Sequence, residues 1–157
     1  MNTRRAVESD ASHILTVIQS GISENIGGQY STDQINGWLS GFSESRIQQT
    51  VQETHALVVE IDGAIVGFGN LISGDSGKCE IDLLYVAPQH HRQGVGKRLV
   101  EELELEAMRR QCRTISADVS LSARGLFLQL GYSIRKSYIK THQNIEFPNM
   151  WVEKNFT

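Results

Sequence analysis

The chain has 157 residues, 39% hydrophobic and 21% charged, with 15 Lys+Arg against 18 Asp+Glu for a formal charge of -3. That is enough for one domain over 1–157 with its own core, and the balance excludes a disordered chain. The slight negative charge argues against nucleic acid as a partner, and no run approaches the roughly 20 apolar residues of a membrane span.

Met1-Asn2-Thr3-Arg4-Arg5 leads into mixed polar sequence without an apolar signal core, so a cytoplasmic protein is expected. Arg4 to Val7 reads as a first strand. Ser9-Asp10 offers a cap, after which Ile14, Leu15, Ile18 and Ile22 recur at helical spacing until Gly27-Gly28. Ser31 and Gln34 have the spacing of a capping box, and Ile35, Trp38, Leu39 and Phe42 form a helical stripe behind them. A weaker pattern over 46–51 allows a further short helix, left out of the element order below.

His55 to Glu60 and Ala64 to Ile72 read as a hairpin turning at Asp62-Gly63. Gly74 to Gly77 is a second turn, feeding a strand over Lys78 to Val86 that Pro88 ends. Cys79, inside that strand, is expected as a buried reduced thiol. Cys79 and Cys112 are too few for a disulfide framework and are not spaced as zinc ligands.

The strongest helical pattern runs from about Gly94 to Arg110, with Val95, Leu99, Leu103 and Ala107 as its stripe. A strand over Thr114 to Val119 and a helix over Ser122 to Leu130 follow, with Gly131 at the left-handed C-cap. Ser133 to Thr141 and Met150 to Phe156 form a last antiparallel pair. The order β-α-α-β-β-β-α-β-α-β-β is that of an α/β (α+β) domain: a mostly antiparallel mixed sheet of about seven strands flanked by helices.

The chemistry concentrates between Leu84 and Lys97. A strand stops, a polar turn follows, and two glycines open an amphipathic helix. The first N–H groups of a helix lack internal partners and carry a dipole equivalent to about +0.5 charge, which makes an anion site. Glycine at 94 and 96 lets a bulky anion approach the backbone, and Arg92, Lys97 and Arg98 add positive charge. A dinucleotide fold would need a third glycine, and a Walker loop would need Gly-Lys-Ser/Thr where this chain has Gly96-Lys97-Arg98.

His91-Arg92-Gln93-Gly94-Val95-Gly96, after Leu84-Tyr85-Val86, resembles the acetyl-CoA signature of the GCN5-related N-acetyltransferases, Gln/Arg-x-x-Gly-x-Gly/Ala after a strand ending Leu-x-Val. His91 stands where the family has Gln or Arg. Ala123-Arg124-x-Leu126-Phe127-x-x-x-Gly131-Tyr132 is similar to a later family block. Tyr30-Ser31-x-x-Gln34-Ile35-x-x-Trp38 looks like a bacterial subgroup of uncharacterised members.

The resemblance implies a GNAT-like domain that transfers acetyl from acetyl-CoA to a primary amine of a small molecule or peptide, without a metal. It allows a homodimer. The CoA contacts it implies are Leu84, Tyr85, Val86, the turn His91, Arg92, Gln93, Gly94, Val95, Gly96 and Lys97, and Phe127. The backbone N–H groups of Leu84 and Val86 would position the pantetheine arm and polarise the thioester carbonyl.

A lysine-like amine, with a pKa of about 10.4, must lose a proton before it attacks. Glu80 and Asp82 are the candidate bases: they lie two apart on one strand, and Glu80 matches the general-base glutamate of the family's histone acetyltransferases. The same acids also fit the wet face of a half-exposed strand. Phe127 occupies the place where many members carry a tyrosine acid and has no proton to give. Tyr85, Tyr132 and Tyr138 are alternatives that also read as packing residues. Tyr30 and Trp38 fall in the segment expected to cover the acceptor. Tyr30, in the loop before the cap, is the better substrate contact, while the competing reading of Trp38 as the core anchor of its helix is slightly favoured. His13, His55 and His142 lack metal-ligand spacing. Two other readings share these features: an acyl-CoA sensor without turnover, and a regulatory domain that uses the fold without CoA.

Overall fold

The computed structural model describes residues 1–24 and 28–156. Seven strands form one sheet: β1 (Asn2–Arg5), β2 (His55–Ile61), β3 (Ala64–Ser73), β4 (Lys78–Val86), β5 (Thr114–Ser120), β6 (Ser133–His142) and β7 (Ile145–Asn155). Their order across it is β1-β2-β3-β4-β5-β7-β6. Every neighbouring pair is antiparallel except β4 and β5, which run parallel.

The parallel join follows from the connection, because only a long crossover can bring β5 beside β4 in the same direction. That crossover is α4 (Val95–Arg109), whose Val95, Leu99, Val100, Leu103 and Ala107 are buried against one face of the sheet with Phe127 of α5 (Arg124–Gln129). The other face carries α1 (Ala11–Ser23), α2 (Thr32–Leu39) and α3 (Glu44–Glu53) over a second core around Ile14, Ile18, Ile47, Val58 and Phe68. Among the described residues no helix is long and apolar enough to cross a membrane.

Some element ends differ from the sequence reading. β1 spans Asn2–Arg5 rather than 4–7, because Val7 already caps a 3-10 turn over Glu8–Asp10. Asp10 does not cap α1: its carboxylate accepts the Val7 N–H at 2.8 Å and takes Arg4 Nη1 at 2.8 Å. The Arg4 guanidinium holds that carboxyl below its ordinary range. α2 follows the sequence, with Ser31 and Gln34 exchanging both bonds of the capping box. Of the glycine pair expected to stop α1, Gly27 lies outside the described residues and Gly28 has φ +65°.

β7 starts at Ile145, five residues before the expected Met150. Gln143 (φ 50°) and Asn144 (φ 64°) make a two-residue left-handed turn, which extends the β6–β7 hairpin. Pro148 is tolerated because β5 pairing ends at Ser120↔Asn149, so no β5 residue faces Pro148. Cys79 is no reduced thiol: its Sγ is bonded to that of Cys112. The two positions are 33 residues apart in sequence, and only the return of the chain after α4 brings them together.

Candidate active site

β4 and β5 pair only from Lys78↔Thr114 to Ile81↔Ala117, while β4 runs on to Val86 and β5 to Ser120. Beyond Ile81 the two strands diverge and leave a cleft in the sheet. The direction of the β4 backbone follows from its bonds to β3. Ala87 N–H donates to the Val66 carbonyl at 2.8 Å, and Leu83 N–H donates to Asn70 Oδ1 at 2.8 Å. Strand alternation then turns the N–H groups of Leu84 and Val86 to the opposite edge, into the cleft. The side chains of Leu84 and Val86 pack with the α4 core, whereas Leu83 and Tyr85 pack under α1 and α3.

After β4 the chain makes a 3-10 turn at Pro88–His90, passes His91, and takes left-handed conformations at Arg92 (φ 60°) and Gly94 (φ 85°). α4 has no side-chain cap, and its first internal bond is Arg98 N–H to the Gly94 carbonyl at 2.9 Å. The N–H groups of Val95, Gly96 and Lys97 therefore precede the internal ladder beside the cleft.

The two glycines serve different needs. A Cβ at Gly94 would meet nothing within 4 Å, so the left-handed backbone is what calls for glycine there. A Cβ at Gly96 would lie 3.0 Å from Leu126 Cδ2, so this glycine lets α5 approach α4. His91 Nε2 lies 3.0 Å from the Val86 carbonyl oxygen, to which its N–H donates in the matching tautomer. Gln93 Nε2 donates to the Gln89 carbonyl at 3.2 Å. Lys97 lies 3.9 Å from Glu101 and Arg98 lies 3.2 Å from Glu102, which offsets part of the positive charge expected at the turn.

The other side of the cleft is made of side chains. Glu80 is half-buried, and its carboxyl is raised above the ordinary glutamate range by burial and then by the charges of Asp82 and Asp118. Asp82 is exposed and falls where the β3–β4 register slips: Asn70 pairs with Leu83 and Leu71 with Ile81, leaving Asp82 unpaired. Asn70 Nδ2 donates to Asp82 Oδ2 at 3.3 Å.

Asp118, just past the last β5 residue paired with β4, was not singled out from sequence. Tyr138 Oη donates to its Oδ2 at 2.5 Å, Asn149 Nδ2 to its Oδ1 at 3.2 Å, and Lys140 Nζ lies 3.4 Å from Oδ2. Burial and this carboxylate push the Tyr138 phenol up to about 12. The signal available was the alternation Ser116-x-Asp118-x-Ser120, which gives β5 a polar face. A shallow pocket of about 290 Å³ opens on that face, lined by Glu80, Ser116 and Trp151 among others.

Tyr30 and Trp38 are brought to the cleft together. Trp38 Nε1–H donates to Tyr85 Oη at 2.9 Å, and its ring stands edge-on to Tyr30 and Phe147 with centroids 5.3 and 6.2 Å away. Tyr30 Oη accepts the Leu121 N–H at 3.0 Å, tying the segment before α2 to the chain just after β5. Tyr85 points into this aromatic group rather than into the cleft, and burial raises its phenol pKa. Phe127 is 1% exposed and packs edge-on to Tyr132, centroids 5.0 Å apart. Tyr132 Oη in turn donates to buried Glu104 at 2.9 Å, and burial together with that carboxylate raises the pKa of the Tyr132 phenol. Among the described residues no group of three or more His, Cys, Asp or Glu side chains is placed to hold a metal ion.

The fold is thus a seven-stranded mixed sheet split between two parallel strands, with a glycine-opened helix that lacks a side-chain cap at the split. Residues 26–132 match the model of the acetyltransferase (GNAT) family, so the chain belongs to that family and is an acyltransferase. It is similar to the uncharacterized N-acetyltransferase YafP of Escherichia coli (strain K12), 24% identical over 142 residues, covering 90% of this chain and 84% of the relative. Among solved structures, a GCN5-related N-acetyltransferase from Rhodopseudomonas palustris superposes with a TM-score of 0.90 at 24% identity, over 99% of this chain and 95% of the other. The PaiA N-acetyltransferase of Thermoplasma acidophilum, in complex with coenzyme A, gives 0.82 at 18% identity over 99% and 98%.

Proposed function

We propose that residues 1–157 form one acetyl-CoA-binding N-acetyltransferase domain. It transfers acetyl from acetyl-CoA to a primary amine of a small molecule or peptide by direct attack in a ternary complex. The observation that carries this reading is the cleft between β4 and β5, lined by free backbone N–H groups on one side and carboxylates on the other. In this reading the turn His91 to Lys97 takes the CoA pyrophosphate on its backbone N–H groups, with Arg92 alongside. The N–H groups of Leu84 and Val86 hold the pantetheine arm and polarise the thioester carbonyl. His91 acts by fixing the end of β4 through the Val86 carbonyl. Phe127 and Tyr85 support the cleft as packing behind it.

Glu80 is the base in this scheme. Its raised pKa brings the carboxylate closer to the amine it must deprotonate, and Asp82 and Asp118 favour a cationic acceptor entering as ammonium. The amine lone pair attacks the thioester carbon, the C–S bond breaks as the intermediate collapses, and the departing CoA thiolate takes up the proton that the new amide nitrogen sheds. Tyr30 and Trp38 wall the acceptor side. The acceptor is a small-molecule or peptide amine, and neither nucleic acid nor membrane takes part.

The cytoplasm is the compartment this reading implies, since acetyl-CoA is an intracellular donor. A Cys79–Cys112 bond is unusual in a reducing cytosol, so a thiol count on protein isolated without reductant tests the compartment. Glu80→Gln tests the chemistry. The rate should fall by about 10²- to 10⁴-fold and lose its acid limb, while acetyl-CoA binding stays within about twofold. An unchanged pH–rate profile would remove Glu80 from this role.

A further inference from the structure

Asn70 is fully buried in the middle of β3, on the face that carries Phe68 and α1, yet its amide is polar at both ends. Its Oδ1 accepts the Leu83 N–H at 2.8 Å, and its Nδ2 donates to Thr54 Oγ1 at 3.1 Å and to Asp82 Oδ2 at 3.3 Å. Thr54 Oγ1 is itself anchored, donating to the Thr50 carbonyl at 2.7 Å.

The first of these bonds falls at the irregularity in the β3–β4 pairing. Where the β3–β4 register slips between Asn70 and Leu71, the Leu83 N–H is held by the Asn70 side-chain oxygen. Below the slip, Ile81 pairs with both Leu71 and Ala117; above it, the Leu84 and Val86 N–H groups enter the cleft. The slip thus decides which backbone groups of β4 reach the cleft, and Asn70 closes it.

We propose that Asn70 is a positioning residue for acetyl transfer: its amide locks the β4 slip, aiming the Leu84 and Val86 N–H groups, and holds the Asp82 carboxylate beside Glu80. The proposal rests on β4 being the dock for the thioester arm. No other side chain of similar size does both jobs. An ionised Asp lacks the donor, Ser is too short to span Leu83 and Asp82, and Leu offers the Leu83 N–H no acceptor and Asp82 no donor.

Asp82 touches this amide directly, and the charged and titratable groups that act on Glu80 and Tyr85 of the same strand are Asp82 itself, Asp118 on β5, Tyr138 and Lys140 on β6, Arg46 on α3 and Tyr30 before α2. In N70D the introduced carboxyl keeps the acceptor for Leu83 but stands against Asp82. Burial and the like charge raise the pKa of that pair. Neutral, the introduced carboxyl can donate to Asp82 as the amide did; ionised, it repels Asp82. N70D should therefore resemble wild type on the acid side and lose about tenfold in kcat/KM as pH rises through the raised pKa.

N70L should lose about tenfold to a hundredfold in kcat/KM at every pH, and bind acetyl-CoA about tenfold more weakly by calorimetry. T54V removes the bond on the far side of the amide and the bond to the Thr50 carbonyl, neither of them made to β4, and should stay within about twofold of wild type in kcat/KM. Circular dichroism and thermal melts accompany each variant; if N70L does not fold, the N70D profile carries the test. The proposal is overturned if N70L binds acetyl-CoA as tightly as wild type, or if the N70D pH profile runs parallel to it. Wild type that does not bind acetyl-CoA would instead refute the reading of β4 as the arm's dock.

Discussion

The two sides of the β4–β5 cleft are built from different materials. The side toward α4 is backbone: N–H groups of β4, of the left-handed turn at Arg92 to Gly94, and of the uncapped first turn of α4. The side toward β5, β7 and β6 is a network of side chains joining Glu80, Asp82, Asp118, Tyr138 and Asn149. A backbone site depends on local conformation and tolerates changes in side-chain identity along the turn. A side-chain site depends on which strands lie together, so it can change acceptor without changing the fold.

This contrast orders the expected effects. The largest belongs to the side-chain half: Glu80→Gln should remove about 10²- to 10⁴-fold of turnover while leaving the donor bound, read by comparing kcat with calorimetric affinity. Next comes the backbone half. Gly94→Ala forces a Cβ into φ 85°, a cost of about 1–2 kcal/mol, and should weaken acetyl-CoA binding about tenfold with kcat nearly unchanged. Equal losses in both parameters from either variant would erase the division.

Tyr138→Phe deletes the donor to Asp118 and should cost about 1 kcal/mol in kcat/KM, roughly fivefold, with donor affinity unaltered. Phe127→Tyr checks whether a tyrosine at the family's usual place restores an acid. With Phe127 1% exposed, the added hydroxyl should lower stability by about 1–3 kcal/mol in a thermal or urea melt and add no activity. The smallest effect is Lys97→Ala: the side chain is exposed and paired with Glu101, so donor affinity should change by no more than about 1 kcal/mol.

The same division explains what could be read from the amino acids. The turn at 91–97 was legible because its parts are consecutive: a strand, a proline, two glycines and an amphipathic helix. The box at Ser31 and Gln34 and the cap at Gly131 were legible for the same reason, as local chemistry of helix ends. Glu80 and Asp82 were legible as an acidic pair on one strand, but the register slip that leaves Asp82 unpaired was not, since a slip is a property of the pairing and not of either strand. Asp118 and Tyr138 are 20 residues apart and Asn70 and Asp82 are 12 apart, joined only once the strand order is known. The disulfide was misread for the same reason, with Cys112 returning to β4 only after the crossover.

The most direct test of the account is turnover of acetyl-CoA by the wild-type chain with a broad panel of primary amines, following free CoA thiol and acetylated amine together. The account predicts amine-dependent release of CoA in step with acetylated product, abolished in Glu80→Gln although that variant still binds acetyl-CoA. Tight binding of acetyl-CoA with no acetylated product from any amine would contradict it and make the chain an acyl-CoA sensor.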